Sequence, residues 1–365
     1  MALEVELRRI ALPLRRPFRT AHGTMTTREL LLVRVVTEAG DGWGECAALD
    51  HSGYSGEDVA TAHAALRDEL VPALRAGAAA PSAAAVWHLP GRPAHPMAAA
   101  ALEAALLDSE LRAGGLSLAA HLGGTRSEVE AGVALGIPPA LPELLDQVAA
   151  ALAEGYRRVK LKVRPGWDVE PVAAIRDRFG DAVVLQVDAN GAYSPADAGH
   201  LAALDRFDLA MIEQPLAAPS LTAHAALARA VRTPVCLDES ITSAGVAAEA
   251  IALGAAAVIN LKPGRMGGML EAVRAHDACH RSGTPAWCGG MLESGLGRAA
   301  NLALASLPGF TLPGDLTPPE RYLAADITAP LPRRGAMMAV PTGPGAVAVD
   351  RDALEAATVS VEVLK

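Results

Sequence analysis

The fold is decided between residues 160 and 263, where five short apolar runs each end in a charged or polar group: Lys160-Leu161-Lys162, Val187-Asp188-Ala189-Asn190, Ile212-Glu213-Gln214-Pro215, Leu237-Asp238-Glu239-Ser240 and Asn260-Leu261-Lys262-Pro263. Their key residues, Lys162, Asp188, Glu213, Asp238 and Lys262, follow one another at intervals of 26, 25, 25 and 24 residues. Such even spacing, with a functional group just after each buried strand, predicts repeated strand-and-helix units in a closed parallel barrel. The sequence therefore directs three carboxylates and two lysines into one site.

The composition fits a large α/β chain. The 365 residues are enough for a barrel of about 250 residues with an additional layer. Hydrophobic residues make up 51% of the chain and aromatic residues only 3%, which favours helix-rich packing of small side chains. The formal net charge of −9 is spread along the chain without a basic tract, which argues against a nucleic-acid partner.

The cysteines and the amino terminus indicate a cytoplasmic protein. Cys46, Cys236, Cys279 and Cys288 lie far apart without a CxxC pair, so reduced thiols in the core are expected. The first residues are acidic and alternating, where a signal peptide would be basic and then continuously apolar. No run of about 18 uncharged apolar residues occurs, and no membrane contact is expected.

The pattern of apolar residues divides the chain into three segments. Residues 1–125 contain alternating runs typical of antiparallel strands, a polar loop at 17–23 and then helices, which indicates an α+β domain. Residues 126–318 alternate strand and helix and are assigned to the barrel, and residues 319–365 to a segment that returns to the first domain through 339–349. The expected strands are 4–13, 29–37, 133–137, 159–163, 183–188, 209–213, 235–238, 258–262, 285–288 and 310–313, the last eight in the barrel, and the expected helices include 56–76, 97–113, 141–154, 195–205, 244–253 and 268–280.

Asp188, Glu213 and Asp238 are expected to converge, because the active site of such a barrel lies at the carboxyl ends of its strands. Three adjacent carboxylates repel one another unless a divalent cation joins them. Oxygen ligands without a nearby His or Cys favour Mg²⁺ or Mn²⁺ over zinc. A helix N-cap or a salt bridge would explain any one of these residues, but the shared spacing favours a metal site.

The lysines suggest acid/base chemistry. Lys160 and Lys162 are two residues apart on a strand, so both side chains point into the barrel, and Lys262 ends a strand four units later and is expected to face them. Two lysines on opposite sides of a molecule suit removal of a proton from one face of a carbon and its return to the other. A free lysine has a pKa of about 10.4, so the metal and nearby cations, Lys160 and Arg265, would have to lower the pKa of the base.

Proton abstraction next to a carboxylate fits this arrangement, because Mg²⁺ can hold the negative charge that develops on the carboxylate oxygens. The three carboxylates, a divalent metal and two lysines together carry a net positive charge, so a small anionic substrate is expected. The alternative for the paired lysines is a Schiff-base aldolase, which needs one lysine and no set of three carboxylates.

The KxK strand, the series Asp188, Glu213 and Asp238, and Lys262-Pro263-Gly264-Arg265 resemble the enolase superfamily, muconate lactonizing enzyme subgroup. The stretch WCGGMLESGLGR at 287–298, with Asn301 and Leu312-Pro313-Gly314-Asp315, is similar to the family of o-succinylbenzoate synthase and N-succinylamino acid racemase. The resemblance covers essentially the whole chain. It implies a modified TIM barrel, (β/α)7β, with an α+β capping domain built from the amino-terminal part and the carboxyl-terminal tail.

The resemblance also implies roles for individual residues. Lys162 and Lys262 would be the acid/base pair, and Asp188, Glu213 and Asp238 the Mg²⁺ (or Mn²⁺) ligands. Ala134 stands where a related protein has a serine near the succinyl group. The further implied site residues are Lys160 and Asn190 beside the substrate carboxylate and the metal, Glu239 and Arg265 behind them, the backbone of Gly289, Gly290, Met291 and Leu292 around the succinyl arm, and Phe18, Leu49, Tyr54 and Tyr322 around the variable side chain.

The implied activity is racemisation of N-succinylamino acids (N-acylamino acids) by proton transfer between two lysines, and o-succinylbenzoate synthesis can use the same residues. Arg265 favours the racemase, because an arginine there accompanies that activity in the family. The alternatives are a dedicated synthase in menaquinone biosynthesis, then a muconate cycloisomerase or a dipeptide epimerase, for which the eighth strand lacks an Asp-x-Asp, and then a non-catalytic metal-binding barrel. The resemblance also implies a homo-oligomer.

Overall fold

Fourteen strands form three sheets in the computed structural model, which describes residues 3–20, 23–78 and 80–365. Most of the strands were expected from the alternation of apolar residues. Six of the seven barrel strands are one or two residues shorter than predicted, and the strand predicted at 159–163 keeps its length but lies at 158–162. In chain order they are β1 (Glu4–Thr20), β2 (Gly23–Thr37), β3 (Gly40–Cys46), β4 (Glu128–Glu130), β5 (Val133–Leu135), β6 (Arg158–Lys162), β7 (Val184–Asp188), β8 (Met211–Glu213), β9 (Val235–Leu237), β10 (Val258–Leu261), β11 (Ala286–Cys288), β12 (Arg333–Arg334), β13 (Met337–Ala339) and β14 (Thr358–Leu364).

Helices follow the first three strands and alternate with the strands of the barrel. No helix in the described part of the chain is long and apolar enough to cross a membrane. The α-helices are α1 (Val59–Ala65), α2 (Val71–Ala76), α3 (Ala83–Val86), α4 (Pro96–Ala113), α5 (Leu118–Leu122), α6 (Leu141–Ala153), α7 (Val169–Phe179), α8 (Ala198–Leu201), α9 (Leu221–Ala230), α10 (Ala244–Ala252), α11 (Pro263–Met266), α12 (Met269–Ser282), α13 (Gly295–Ala305) and α14 (Arg351–Ala357). A π-helical segment, Leu66–Leu70, joins α1 to α2, and 3-10 turns lie at Gly180–Ala182, Pro195–Asp197, Ala202–Phe207 and Pro319–Arg321.

The seven strands β5 to β11 form one parallel sheet in sequential order, as the even spacing predicts. The sheet closes through residues 310–315, where Phe310 bridges to Ala286 of β11 and Gly314 bridges to Ala131 before β5. The predicted eighth strand is therefore present only as isolated bridges. Pro313 lies in the middle of this segment and has no N–H group to donate, which explains why a regular ladder does not form.

The capping layer consists of β1–β3, β14 and α1–α4. Its sheet has the order β14-β1-β2-β3, and β2 is buried on both faces at residues 30–33. Leu31 and Val33 belong to the main core, which includes α4, whereas Leu30 and Leu32 contact a second cluster that includes Leu323. This sheet therefore separates two apolar cores.

One expectation for this layer was wrong. The loop predicted at 17–23 is largely strand, because β1 continues to Thr20 and β2 starts at Gly23, while Ala21 and His22 lie outside the described residues. The segment 339–349 contacts this part of the molecule, because Gly345 bridges to Ser117 and the Ala346 N–H donates to Asp108 of α4 at 2.9 Å. The carboxyl-terminal strand that joins the sheet is β14, where the sequence analysis predicted no strand.

Glycine allows β3 to lie directly on α4. A Cβ atom at Gly44 would come within 2.0 Å of the Ala101 carbonyl oxygen and 2.7 Å of the Ala105 nitrogen. Both neighbours are backbone atoms of a helix that presents alanine on this side, so neither can move aside independently. The close contact fixes the position of β3 and of the segment that follows it.

Gly44→Ala is expected to lower the free energy of unfolding by about 3 kcal/mol, because the added methyl group overlaps helix backbone. Gly56→Ala is the matched control, since no atom lies within 4 Å of the added methyl group, and it should change stability by less than about 0.5 kcal/mol. Urea unfolding of both variants checks this expectation. Equal stabilities would mean that β3 does not lie against α4 as described.

Glu45 on β3 connects the capping layer to the barrel. Its carboxylate accepts hydrogen bonds from the Ser294 hydroxyl, from the Ser294 N–H at 3.2 Å and from the Gly297 N–H at 3.3 Å. A carboxylate at the start of α13 is stabilised by the free N–H groups and the dipole of the helix. Burial nevertheless raises the pKa of Glu45 to about 8, against the smaller lowering effect of the Ser294 hydrogen bond.

The raised pKa of Glu45 predicts a loss of stability with rising pH. Because the folded state retains a proton that the unfolded state releases, the fold becomes less stable between the unfolded pKa and the folded value of about 8. Glu45→Gln should therefore reduce the fall in free energy of unfolding between about pH 5 and about pH 8 by about 3 kcal/mol. Denaturant titrations at several pH values measure the slope, and an unchanged slope would contradict the assignment.

Candidate active site

Five predicted charged residues lie at the carboxyl ends of five neighbouring strands. Lys162, Asp188 and Glu213 are the last residues of β6, β7 and β8, and Asp238 and Lys262 directly follow β9 and β10. The strand register places Lys162 beside Asp188 and Asp188 beside Glu213. The three carboxylates are at most 1% exposed. The structure therefore brings together the groups that the sequence spacing predicts at one site.

Each of the two proposed acid/base lysines is bound by a different carboxylate. Lys162 Nζ donates to Asp188 Oδ2 at 2.6 Å and to Asn190 Oδ1 at 2.8 Å. Lys262 Nζ donates to Asp238 Oδ2 at 2.7 Å and to the Tyr54 hydroxyl at 2.8 Å. The lysines thus stand at the two ends of the row of three carboxylates.

The side chains around Lys262 do not by themselves give it the lowered pKa that the sequence predicts for the base. Burial alone would lower this pKa, but Asp238 and Tyr54 together raise it above its ordinary value. Arg265 acts in the opposite direction, although its Nη1 also donates to Asp238. The sequence predicts a lowered pKa for the base. Near Lys262, that lowering therefore requires more positive charge than Arg265 and Lys160 supply.

Lys160 binds a fourth carboxylate that the sequence analysis missed. Its Nζ lies 2.9 Å from Glu213 Oε2, 3.2 Å from Asp188 Oδ2 and 2.5 Å from Asp315 Oδ2. Arg158 donates to the other oxygen of Asp315 at 2.6 Å. Burial alone would raise the pKa of Asp315, but the charges of Lys160 and Arg158 hold this pKa well below its usual range.

Glu213 also has two amide partners that the sequence analysis missed. Gln186 Nε2 donates to Glu213 Oε2 at 2.7 Å, and Asn260 Nδ2 donates to Oε1 at 2.8 Å. Both amides stand two residues before a charged group, Asp188 and Lys262, and so share its face of the strand. This two-residue spacing on a strand could have identified both amides as site residues from the sequence.

Three residues at the site adopt positive φ although none is a glycine. They are Asn190 after β7 (φ 45°), Gln214 after β8 (φ 37°) and Leu292 after β11 (φ 57°). Such conformations cost energy and persist where the surroundings fix them. Gln214, for example, is held by hydrogen bonds from its side chain to the Ser240 hydroxyl at 2.8 Å and the Leu216 carbonyl at 2.9 Å.

The donor set fits Mg²⁺ or Mn²⁺ in its chemistry. Burial raises the pKa of Glu213 to about 8 and that of Glu239 to about 7, and in both cases the negative charges of Asp188 and Asp238 raise it further. The buried Oε2 of Glu239 has no hydrogen-bond partner among the described residues. Within the described residues, no group of three or more Asp, Glu, His or Cys side chains is arranged closely enough to hold a metal ion. The ammonium groups hold the carboxylates instead, and a divalent cation would relieve the same repulsion.

A cavity of about 240 Å³ opens beside the lysines. Phe18 and Tyr322 meet edge to face there with ring centroids 5.9 Å apart, and the Tyr322 hydroxyl donates to the Ala134 carbonyl at 3.0 Å. Gly289 lies behind this wall, where a Cβ atom would come within 2.5 Å of the Lys262 side chain. The predicted substrate residues that line the cavity are Phe18, Leu49, Tyr54, Lys160, Asn190, Gly290, Met291, Leu292 and Tyr322, and lining residues that were not predicted include Met25, Arg298 and Thr317.

Asp315→Asn is expected to lower the free energy of unfolding by about 3 kcal/mol, because it leaves the buried charges of Lys160 and Arg158 short of one carboxylate. The control is Glu154→Gln, which breaks an ion pair with Arg321 where the glutamate side chain is 40% exposed and should cost less than about 1 kcal/mol. Thermal or urea unfolding measures both. A loss in Asp315→Asn as small as that in the control would refute the proposed buried ion pairs.

Comparison with known proteins gives consistent matches over nearly the whole chain. The family models that match are "Mandelate racemase / muconate lactonizing enzyme, N-terminal domain" over residues 2–123 and "Enolase C-terminal domain-like" over residues 143–353. The chain is 55% identical over 341 residues to N-succinylamino acid racemase from Amycolatopsis sp, covering 93% of each chain. It is 44% identical over 350 residues to o-succinylbenzoate synthase from Geobacillus kaustophilus, covering 94% of this chain and 93% of that one. A solved member of the enolase superfamily from Listeria innocua Clip11262 has a TM-score of 0.92 and 34% identity, covering 99% of this chain and 98% of that one.

Proposed function

Because this chain belongs to the enolase superfamily, in the family of N-succinylamino acid racemase and o-succinylbenzoate synthase, we propose that it racemises N-succinylamino acids. The observation that carries the proposal is the placement of two lysines at opposite ends of one row of carboxylates, beside one cavity. A substrate carbon between them would present one face to Lys162 and the other to Lys262. The relative from Amycolatopsis, named N-succinylamino acid racemase, supports this choice at 55% identity.

The metal in this proposal is Mg²⁺, or Mn²⁺, held by Asp188, Glu213 and Asp238. When bound, it supplies positive charge that stabilises the substrate carboxylate as the neighbouring proton leaves. Lys160 holds the same carboxylate in place, with Asn190 beside it, and Glu239 supports Asn190 through a hydrogen bond of 2.8 Å.

In the proposed reaction, one lysine removes the proton on the carbon next to the carboxylate and the other returns a proton to the opposite face. Lys162 and Lys262 exchange these roles when the opposite enantiomer is the substrate. The backbone at 289–292 would receive the succinyl arm. The amino acid side chain would lie against Phe18, Leu49 and Tyr322, and this mostly apolar wall favours an apolar side chain.

The second candidate is o-succinylbenzoate synthesis, favoured by the relative from Geobacillus kaustophilus. In that reaction Lys162 would remove the proton and assist loss of hydroxide, while Lys262 would act mainly through its charge. Arg265 favours the racemase, because it is buried and contacts Asp238 and Tyr54, both of which also bind Lys262. One site can carry both activities.

Four further expectations stay predictions. They are the domain boundaries at 125 and 318, assembly into a homo-oligomer, a cytoplasmic location and a small anionic substrate as the binding partner.

Proton NMR in D₂O with Mg²⁺ tests the proposal. N-succinyl-L-phenylalanine is expected to lose its α-proton signal while the D-enantiomer appears, and EDTA should stop both changes. Lys162→Ala and Lys262→Ala should each slow racemisation at least about 100-fold, because each removes one proton carrier, while Mg²⁺ still raises the melting temperature. Lys365→Ala is the matched control, since Lys365 is exposed, follows β14 of the capping sheet and does not line the cavity.

The contrary outcomes are distinct. Full racemisation in either site variant would overturn the assignment of two bases. Turnover of the cyclohexadiene precursor of o-succinylbenzoate, without racemisation, would make the protein a dedicated synthase.

A further inference from the structure

The two lysines differ in what holds them. The hydrogen bonds of Lys162 go to Asp188 and Asn190, which both belong to the barrel. Lys262 instead shares its ammonium group between Asp238 of the barrel and Tyr54, which lies in the 47–58 loop between β3 and α1. Within the described residues, only one of the two proposed bases is therefore in hydrogen-bond contact with the capping layer.

The Tyr54 hydroxyl lies at the centre of the polar contacts around Lys262. It accepts from Lys262 Nζ at 2.8 Å and from Arg265 Nη1 at 2.9 Å, and it donates to Asp238 at 3.2 Å. Lys262 Nζ also lies 4.9 Å from the centroid of the tyrosine ring. These contacts restrict the position of the ammonium group from two directions.

The 47–58 loop is fixed at both ends. Arg28 is fully buried and donates to the Ala47 carbonyl at 2.8 Å and the Ala48 carbonyl at 2.7 Å. At the other end, the Glu57 carboxylate accepts from the Met97 N–H at 2.6 Å at the start of α4. Tyr54 is therefore presented to Lys262 by a loop attached to the sheet and to a helix of the capping layer.

We propose that Tyr54 is a positioning residue for Lys262, so that proton transfer on one face of the substrate depends on the capping layer and transfer by Lys162 does not. The inference rests on the proposed racemase function, in which both lysines carry protons. It differs from the role expected from the sequence, where Tyr54 only encloses the variable side chain. The aromatic ring can form part of that wall while the hydroxyl holds the lysine.

Tyr54→Phe separates the two roles, because it keeps the ring in the wall and removes only the hydroxyl. The experiment measures exchange of the α-proton for deuterium in D₂O with Mg²⁺, starting separately from N-succinyl-L-phenylalanine and N-succinyl-D-phenylalanine at saturating concentration. Lys262→Ala and Lys162→Ala first identify which enantiomer each lysine deprotonates. The readout is the ratio of the two exchange rates.

In Tyr54→Phe, exchange of the enantiomer deprotonated by Lys262 should fall about tenfold relative to exchange of the other, the loss expected for one hydrogen bond to a charged group. Tyr322→Phe is the matched control, because it removes a hydroxyl from the same cavity that donates to the Ala134 carbonyl. Any effect of that variant should reach both enantiomers equally, so the ratio should stay within about twofold. The retained exchange by Lys162 also shows that Tyr54→Phe is folded.

An unchanged ratio in Tyr54→Phe would overturn the inference, and so would an equal fall for both enantiomers, which would make Tyr54 a general part of the substrate wall. Failure of the proposed function has a different signature. It would appear in the unmodified enzyme as no exchange of either enantiomer, or as unchanged exchange in both lysine variants.

Discussion

The balance of buried charge at the carboxyl end of the barrel is the constraint on which the rest of the structure depends. Asp188, Glu213, Asp238 and Asp315 are almost removed from water, and each is in contact with an ammonium or guanidinium group. A buried carboxylate without such a partner would cost several kcal/mol. The barrel interior is therefore stable only when cations match the acids, which explains why Lys160 binds three carboxylates at once.

The same ion pairs that balance charge also place the two lysines proposed as acid and base. Lys162 and Lys262 are held at the two ends of the carboxylate row by short hydrogen bonds, so their separation is set before a substrate enters. Pre-set geometry reduces the entropy that a reaction between bound groups must lose. The carboxylates also raise the pKa of Lys262, which keeps it charged in the protein alone. Added positive charge in the row would weaken that effect, so the proposed metal and the base are electrostatically linked.

The sequence predicts the parts of the site that repeat, and it misses the parts that depend on a single contact. Strand ends at regular intervals could be found because each of β6 to β10 carries its functional group at the same place. Asp315 stands in the motif at 312–315 but received no role, because its ion pairs with Lys160 and with Arg158, 157 positions away, follow no period. The bond between Tyr54 and Lys262 joins residues 208 positions apart and follows no period. One available signal was overlooked: the chain has only four lysines, and three of them lie in the site.

The capping layer has two tasks that cannot vary independently. Phe18, Leu49 and Tyr54 line the same cavity, and Tyr54, five residues after Leu49, also binds Lys262 through its hydroxyl group. A substitution that enlarges the cavity by shifting the 47–58 loop would also move the hydroxyl that holds Lys262. Lys162, bound by barrel residues, would be unaffected. Changes of side-chain preference in this layer should therefore alter the ratio of the two α-proton exchange rates, whereas changes around Asn190 should not act through the capping layer.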